Sequence, residues 1–104
     1  MSDSQHYLLS YETSADYLEK RVLFRAAHLE LAWQAAERGE LLLGGAVGDP
    51  IESALLLFKV ADPAIIEAFA QADPYVQNGL VTRYRIHPWH TVVGESACTP
   101  VRLS

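Results

Sequence analysis

Hydrophobic residues recur along this chain with two different periods. Residues 5–11, Gln-His-Tyr-Leu-Leu-Ser-Tyr, form a short aromatic and aliphatic run of the kind strands favour. From residue 16 to 38 the spacing changes to a helical one and predicts a long amphipathic helix. Gly39 follows it, a residue suited to the position just past a helix end. Residues 40–47 read as a second strand, Gly48-Asp49-Pro50 as a turn and residues 53–60 as a third strand. Asp62-Pro63 has the form of a helix start, with Asp as cap and Pro in the first turn, and Ile65, Ile66 and Phe69 supply the apolar face. Asp73-Pro74 repeats that signal for one short turn, which Asn78-Gly79 ends. Residues 80–87 read as the last strand, interrupted by Pro88, and the tail from Gly94 as irregular.

The order βαββαβ predicts one α+β domain of ferredoxin-like type, with a core over about 5–93 and a tail over 94–104. Its four-stranded antiparallel sheet places the first and third strands in the centre and two helices on one face. The last strand then lies at an edge, where a proline is tolerated. Leu41-Leu42-Leu43, Leu55-Leu56-Leu57-Phe58 and Tyr7-Leu8-Leu9 are apolar on both strand faces, because successive side chains point opposite ways. A sheet face left bare with such residues invites a partner. A homodimer through the sheet face, or a higher oligomer built on it, is therefore expected, with coverage by loops or the tail as the alternative.

Composition narrows the partners. Eight basic and thirteen acidic residues give a formal charge of −5, which argues against nucleic acid. The first residues lack a basic segment followed by an apolar run, and no stretch approaches the roughly 20 apolar residues of a membrane span. A cytoplasmic location and no membrane partner are expected. The single cysteine, Cys98, has no partner for an internal disulfide and reads as an incidental tail residue.

The long helix holds the candidate chemistry. At about 100° per residue, Leu18, Val22, Leu29, Ala32, Trp33 and Ala36 share one arc, taken as the core face. Glu19, Lys20, Glu30, Gln34, Glu37 and Arg38 occupy the solvated side. Arg21, Arg25 and His28 form a separate stripe, with Arg25 inside the apolar arc and the other two at its margin. An unpaired arginine is costly to bury, so the stripe either reaches solvent, pairs with carboxylates or lines a polar cleft. His28 suits proton transfer, since an ordinary histidine titrates near ~6.5. It equally fits a half-buried histidine with no role. Asp73 fits a plain helix cap, and one oxygen could cap while the other faces a cleft. His87 and His90 would point to opposite faces of a strand, so no metal site is expected. Gly44-Gly45 and Gly48 match no phosphate-binding motif. Arg83 and Arg85 read as the outer face of an edge strand.

Taken in order, several segments resemble the YCII family of small proteins. They are Tyr7-Leu-Leu-Ser-Tyr11, Arg25-Ala-Ala-His28-Leu29, Gly39-Glu-Leu-Leu-Leu-Gly-Gly45, Ala72-Asp73-Pro74-Tyr75-Val76, Gly79-Leu80-Val81 and Ile86-His-Pro-Trp89. The resemblance spans roughly residues 5–93. It implies a dimeric α+β barrel, in a group that includes muconolactone isomerase-like proteins and haem-degrading or quinone-forming monooxygenases. It also implies a His–Asp pair, which here falls on His28 and Asp73. One branch includes a dehydrochlorinase acting on a chlorinated hydroxyhydroquinone. The tight turn Gly48-Asp49-Pro50-Ile51-Glu52 departs from longer members and bears on the pocket mouth.

Together the residues and the resemblance predict cofactor-independent acid/base chemistry of isomerase, lyase or dehydrochlorinase type on a small oxygenated metabolite. His28 and Asp73 would be catalytic, and Arg25 and Tyr75 would bind substrate. Tyr75 and Trp89 would line the pocket, or are alternatively core or interface aromatics. Competing expectations are a small-molecule binding or accessory protein without turnover, and a cofactor-free or haem-dependent monooxygenase.

Overall fold

The computed structural model describes residues 3–103. The elements follow in the order β1 (Gln5–Thr13), α1 (Tyr17–Glu37), β2 (Leu41–Val47), β3 (Ser53–Val60), α2 (Ala64–Ala72), α3 (Pro74–Gln77) and β4 (Val81–Trp89). The sheet order is β2-β3-β1-β4, and every neighbouring pair is antiparallel. This is the ferredoxin-like arrangement, with β1 and β3 central.

Local chemistry sets most of the boundaries. Gly39 ends α1 at φ +78°, a left-handed backbone that glycine adopts without a Cβ clash. The β2–β3 turn depends on Gly48 at φ +103°, where an added Cβ would lie 2.7 Å from the Pro50 carbonyl oxygen. Just before α2, whose N-cap is Pro63, the Asp62 side chain accepts a hydrogen bond from the Ala64 amide at 2.9 Å. Pro74 favours extended backbone at the residue before it, and Asp73 takes φ −71°, ψ 121° between α2 and α3.

The sheet alternates as a pleated sheet must. Tyr7, Leu9 and Tyr11 of β1 and Ala54, Leu56, Phe58 and Val60 of β3 face the helices, where they meet Ile66, Phe69, Ala70, Tyr75 and Leu80 in the core. The opposite face is divided. Its β2–β3 half carries Leu43, Val47, Leu55 and Leu57, while the β4 half carries Arg83, Arg85 and His87. The expected double-sided apolar character therefore holds for one half of the open face only.

Three expectations are corrected. β4 does not stop before Pro88 but runs through it to Trp89, because an edge strand can lose one amide donor. The core face of α1 is turned by roughly 110° from the arc chosen above, at about 100° per residue. Tyr17, Arg21, Phe24, His28, Leu31, Ala32 and Ala35 form its inward stripe, whereas Val22 is 76% and Trp33 67% exposed. Apolar residues surround this helix almost evenly, so the contacts of Tyr17 and His28 with α3 decide its rotation, not its largest aliphatic arc. Third, Cys98 is not incidental. Its Sγ lies 3.4 Å from His6 Nδ1, and its amide donates to Thr91 Oγ1 at 2.9 Å. The Thr91 hydroxyl also sits 2.6 Å from His6 Nδ1, so the tail is pinned across the His6 end of the open sheet face.

Candidate active site

A cleft of about 340 Å³ opens between α1 and the β2–β3 side of the sheet. Its floor is made of small or aliphatic positions, among them Leu41, Gly44, Ala46, Ala54 and Leu56. The helix supplies its polar wall: Arg21, Arg25 and His28, with Tyr75 behind them. No helix among the described residues is long and apolar enough to cross a membrane.

Asp73 is the centre of the site. It is fully buried, and three donors converge on its two oxygens. Oδ1 accepts from the Tyr75 amide at 3.0 Å and lies 2.8 Å from His28 Nδ1. Oδ2 accepts from the Tyr11 hydroxyl at 2.8 Å. The capping and histidine-facing roles anticipated for separate oxygens thus fall on the same one, and the second oxygen belongs to Tyr11. A carboxylate oxygen accepts, so this contact assigns the donor role to Nδ1 of His28. Nε2 of His28 makes no hydrogen bond among the described residues.

The imidazole is held on its face as well as its edge. Tyr75 stacks on it at 3.9 Å between ring centroids, 7° from parallel, and Tyr17 meets Tyr75 edge-on at 5.7 Å. The His28 side chain retains 15% exposure and lines the cleft. Burial pushes the Tyr75 hydroxyl above the ordinary tyrosine pKa, with Tyr17 adding to the rise and Arg25 and Arg21 opposing it. Burial, followed by the Asp73 charge and hydrogen bond, raises Tyr11 far above that range. Tyr11 therefore stays a protonated donor at neutral pH.

The structure brings His28, Asp73 and Tyr75 into contact and sets Arg25 at the exposed cleft mouth. Arg25 was expected to lie deeper than Arg21, and the order is reversed, for the same rotation of α1. Trp89 stands apart, on the open sheet face beside His6. Tyr11 was missed. Its signal was present: a tyrosine on a buried strand face needs a partner for its hydroxyl.

The family described as the YCII-related domain matches residues 5–90. The chain belongs to the YCII family. Two curated members, both described as Protein YciI, from Escherichia coli O6:H1 and Shigella flexneri, are each 30% identical over 97 residues. Each match spans 83% of this chain and 97% of the relative. A solved structure, 5-chloro-2-hydroxyhydroquinone dehydrochlorinase (TftG) from Burkholderia phenoliruptrix AC1100 in complex with 2,5-dihydroxybenzoquinone, superposes with a TM-score of 0.70 at 18% identity. That match covers 84% of this YCII chain and 95% of the other, a likeness of fold.

Proposed function

We propose that the cleft is an acid/base site for a small, oxygenated, cyclic metabolite, working by isomerisation or elimination without a cofactor. The observation that carries this reading is the Asp73–His28 hydrogen bond of 2.8 Å, made at Nδ1 so that Nε2 remains available at the cleft. Asp73 holds the tautomer and stabilises the imidazolium that forms. Nε2 removes a proton from a carbon next to a carbonyl. The released electron pair moves onto the carbonyl oxygen as an enolate, and the reaction finishes as that pair returns, by reprotonation at another carbon or by departure of a leaving group as its anion. Arg25 offers a cation to the oxygen that gains charge. The fold neighbour's stated activity, a dehydrochlorination of a hydroxyhydroquinone, is an elimination of this character. The cleft's volume lies at the small end of ligand pockets, which suits a single ring.

The same reading includes a homodimer. Leu43 is 72% exposed on the open sheet face, beside Val47 and Leu55, and a second copy laid sheet to sheet buries this patch. Sedimentation at micromolar concentration gives a dimer, and a monomer at all concentrations removes this part of the reading.

A thermal-shift screen of small acids, lactones and hydroxyquinones tests the site. Ligands that stabilise the native chain should lose their effect in His28→Ala. In deuterated water, a true substrate exchanges its acidic carbon-bound hydrogen, and His28→Gln slows that exchange by about 10²–10⁴-fold. A ligand that binds with no exchange supports a binding protein instead.

A further inference from the structure

This inference rests on the acid/base reading of the cleft and adds the class of molecule it takes. Of the eight lysines and arginines, seven are exposed, and Arg21 alone is half-buried. It makes no ion pair among the described residues, and its guanidinium lies 5.7 Å from the Tyr17 ring centroid. Lys20, Arg38 and Arg83, all on the surface, do pair with Asp16, Glu40 and Glu12. Arg21 is thus the one cation partly drawn into the fold, it rests on the Tyr17 ring, and no acid is paired with it, so its charge is open to an anionic ligand.

The surroundings agree. Arg25, one helical turn further on, lines the same cleft and also lacks an ion pair. No aspartate or glutamate lines the cleft, and the Asp73 carboxylate is fully buried behind its three donors. A chain with a formal charge of −5 therefore holds a locally cationic recess. Opposite the arginines the wall is apolar, formed by Leu41, Ala54 and Leu56. We propose that Arg21, with Arg25 beside it, anchors a carboxylate of the substrate, and that the site selects small molecules with a carboxylate at one end and an apolar body at the other. His28 follows Arg25 by three positions on the same face side of α1, so a carboxylate held by the arginines presents its neighbouring carbons to the imidazole.

Titration calorimetry of the full chain with benzoate and with benzamide, its neutral isostere, tests this. Charge-assisted pairing to arginine gives benzoate at least about a tenfold lower Kd. Arg21→Gln removes the preference, and Arg21→Lys keeps its direction. Equal binding of the two ligands by the native chain, absence of benzoate binding at millimolar concentration, or an unchanged preference in Arg21→Gln overturns the anchor. The native comparison holds even if a variant fails to fold. A carboxylate preference without deuterium exchange on any carboxylate ligand would sink the acid/base reading and leave the anchor standing.

Discussion

Tyr11→Phe removes one oxygen and little else. The ring stays in a site where Tyr11 is almost fully buried, so packing is preserved. What disappears is the 2.8 Å hydrogen bond to Asp73 Oδ2, the oxygen that has no other donor among the described residues. A hydrogen bond to a charged acceptor contributes about 1.5–3 kcal/mol net, and here the buried carboxylate is also left under-satisfied. A loss of about 2–3 kcal/mol follows, which for a domain of this size lowers Tm by on the order of 10 °C. Urea unfolding followed by circular dichroism reads this as a lower midpoint at unchanged slope. Protein concentration must be fixed, because self-association adds stability of its own. A change below about 0.5 kcal/mol would refute the claim that Tyr11 secures Asp73. A second readout has a defined sign. Tyr11 titrates far higher in the folded chain than in the unfolded one. Its contribution is complete below pH ~10 and is lost as pH rises above that toward the folded value, so Tyr11→Phe should flatten the alkaline fall in stability.

Three further outcomes follow from the fold. Gly48→Ala forces a Cβ against the Pro50 carbonyl at positive φ and should cost about 1–3 kcal/mol, measured by the same urea titration; a neutral result would mean the turn relaxes freely. Val22→Ala should stay within about 0.5 kcal/mol of native, whereas Leu9→Ala, in the core, should cost about 2–5 kcal/mol; the reverse ranking would restore the aliphatic arc of α1 as its buried face. Burial, then the charge of Lys59, lowers the pKa of His6, so its contribution is present above pH ~6.5 and is lost as pH falls below that. Trp89 fluorescence in a Trp33→Phe background should report the tail loosening on acidification, and a flat trace from pH ~7 to ~5 would remove His6 as the anchor.

The elements were legible where local chemistry decides them. Gly39, Asp62 and the Asp73-Pro74 pair each mark a boundary through a backbone preference that neighbours cannot override. Strand pairing followed from element order. The rotation of α1 was not legible, because Leu18, Val22 and Trp33 compete with Tyr17, Phe24 and Ala35 for burial and a wheel weighs only hydrophobicity. Aromatic contacts with α3, more than forty residues downstream, break the tie. That one misreading exchanged the depths of Arg21 and Arg25. Tyr11 escaped for a different reason: a hydrogen bond across 62 residues leaves no local spacing to recognise.

Asp73 serves the backbone of α3 and the imidazole of His28 through one and the same oxygen. A chain that loses this carboxylate loses a helix start as well as the partner that holds the His28 ring, so drift at position 73 is punished twice. The wall formed by β2 carries no such debt: Leu42 to Val47 lie on an exposed edge strand, two of them glycines. Descendants of this chain could therefore reshape the cleft lining along β2 while the Asp73–His28 pair stays fixed.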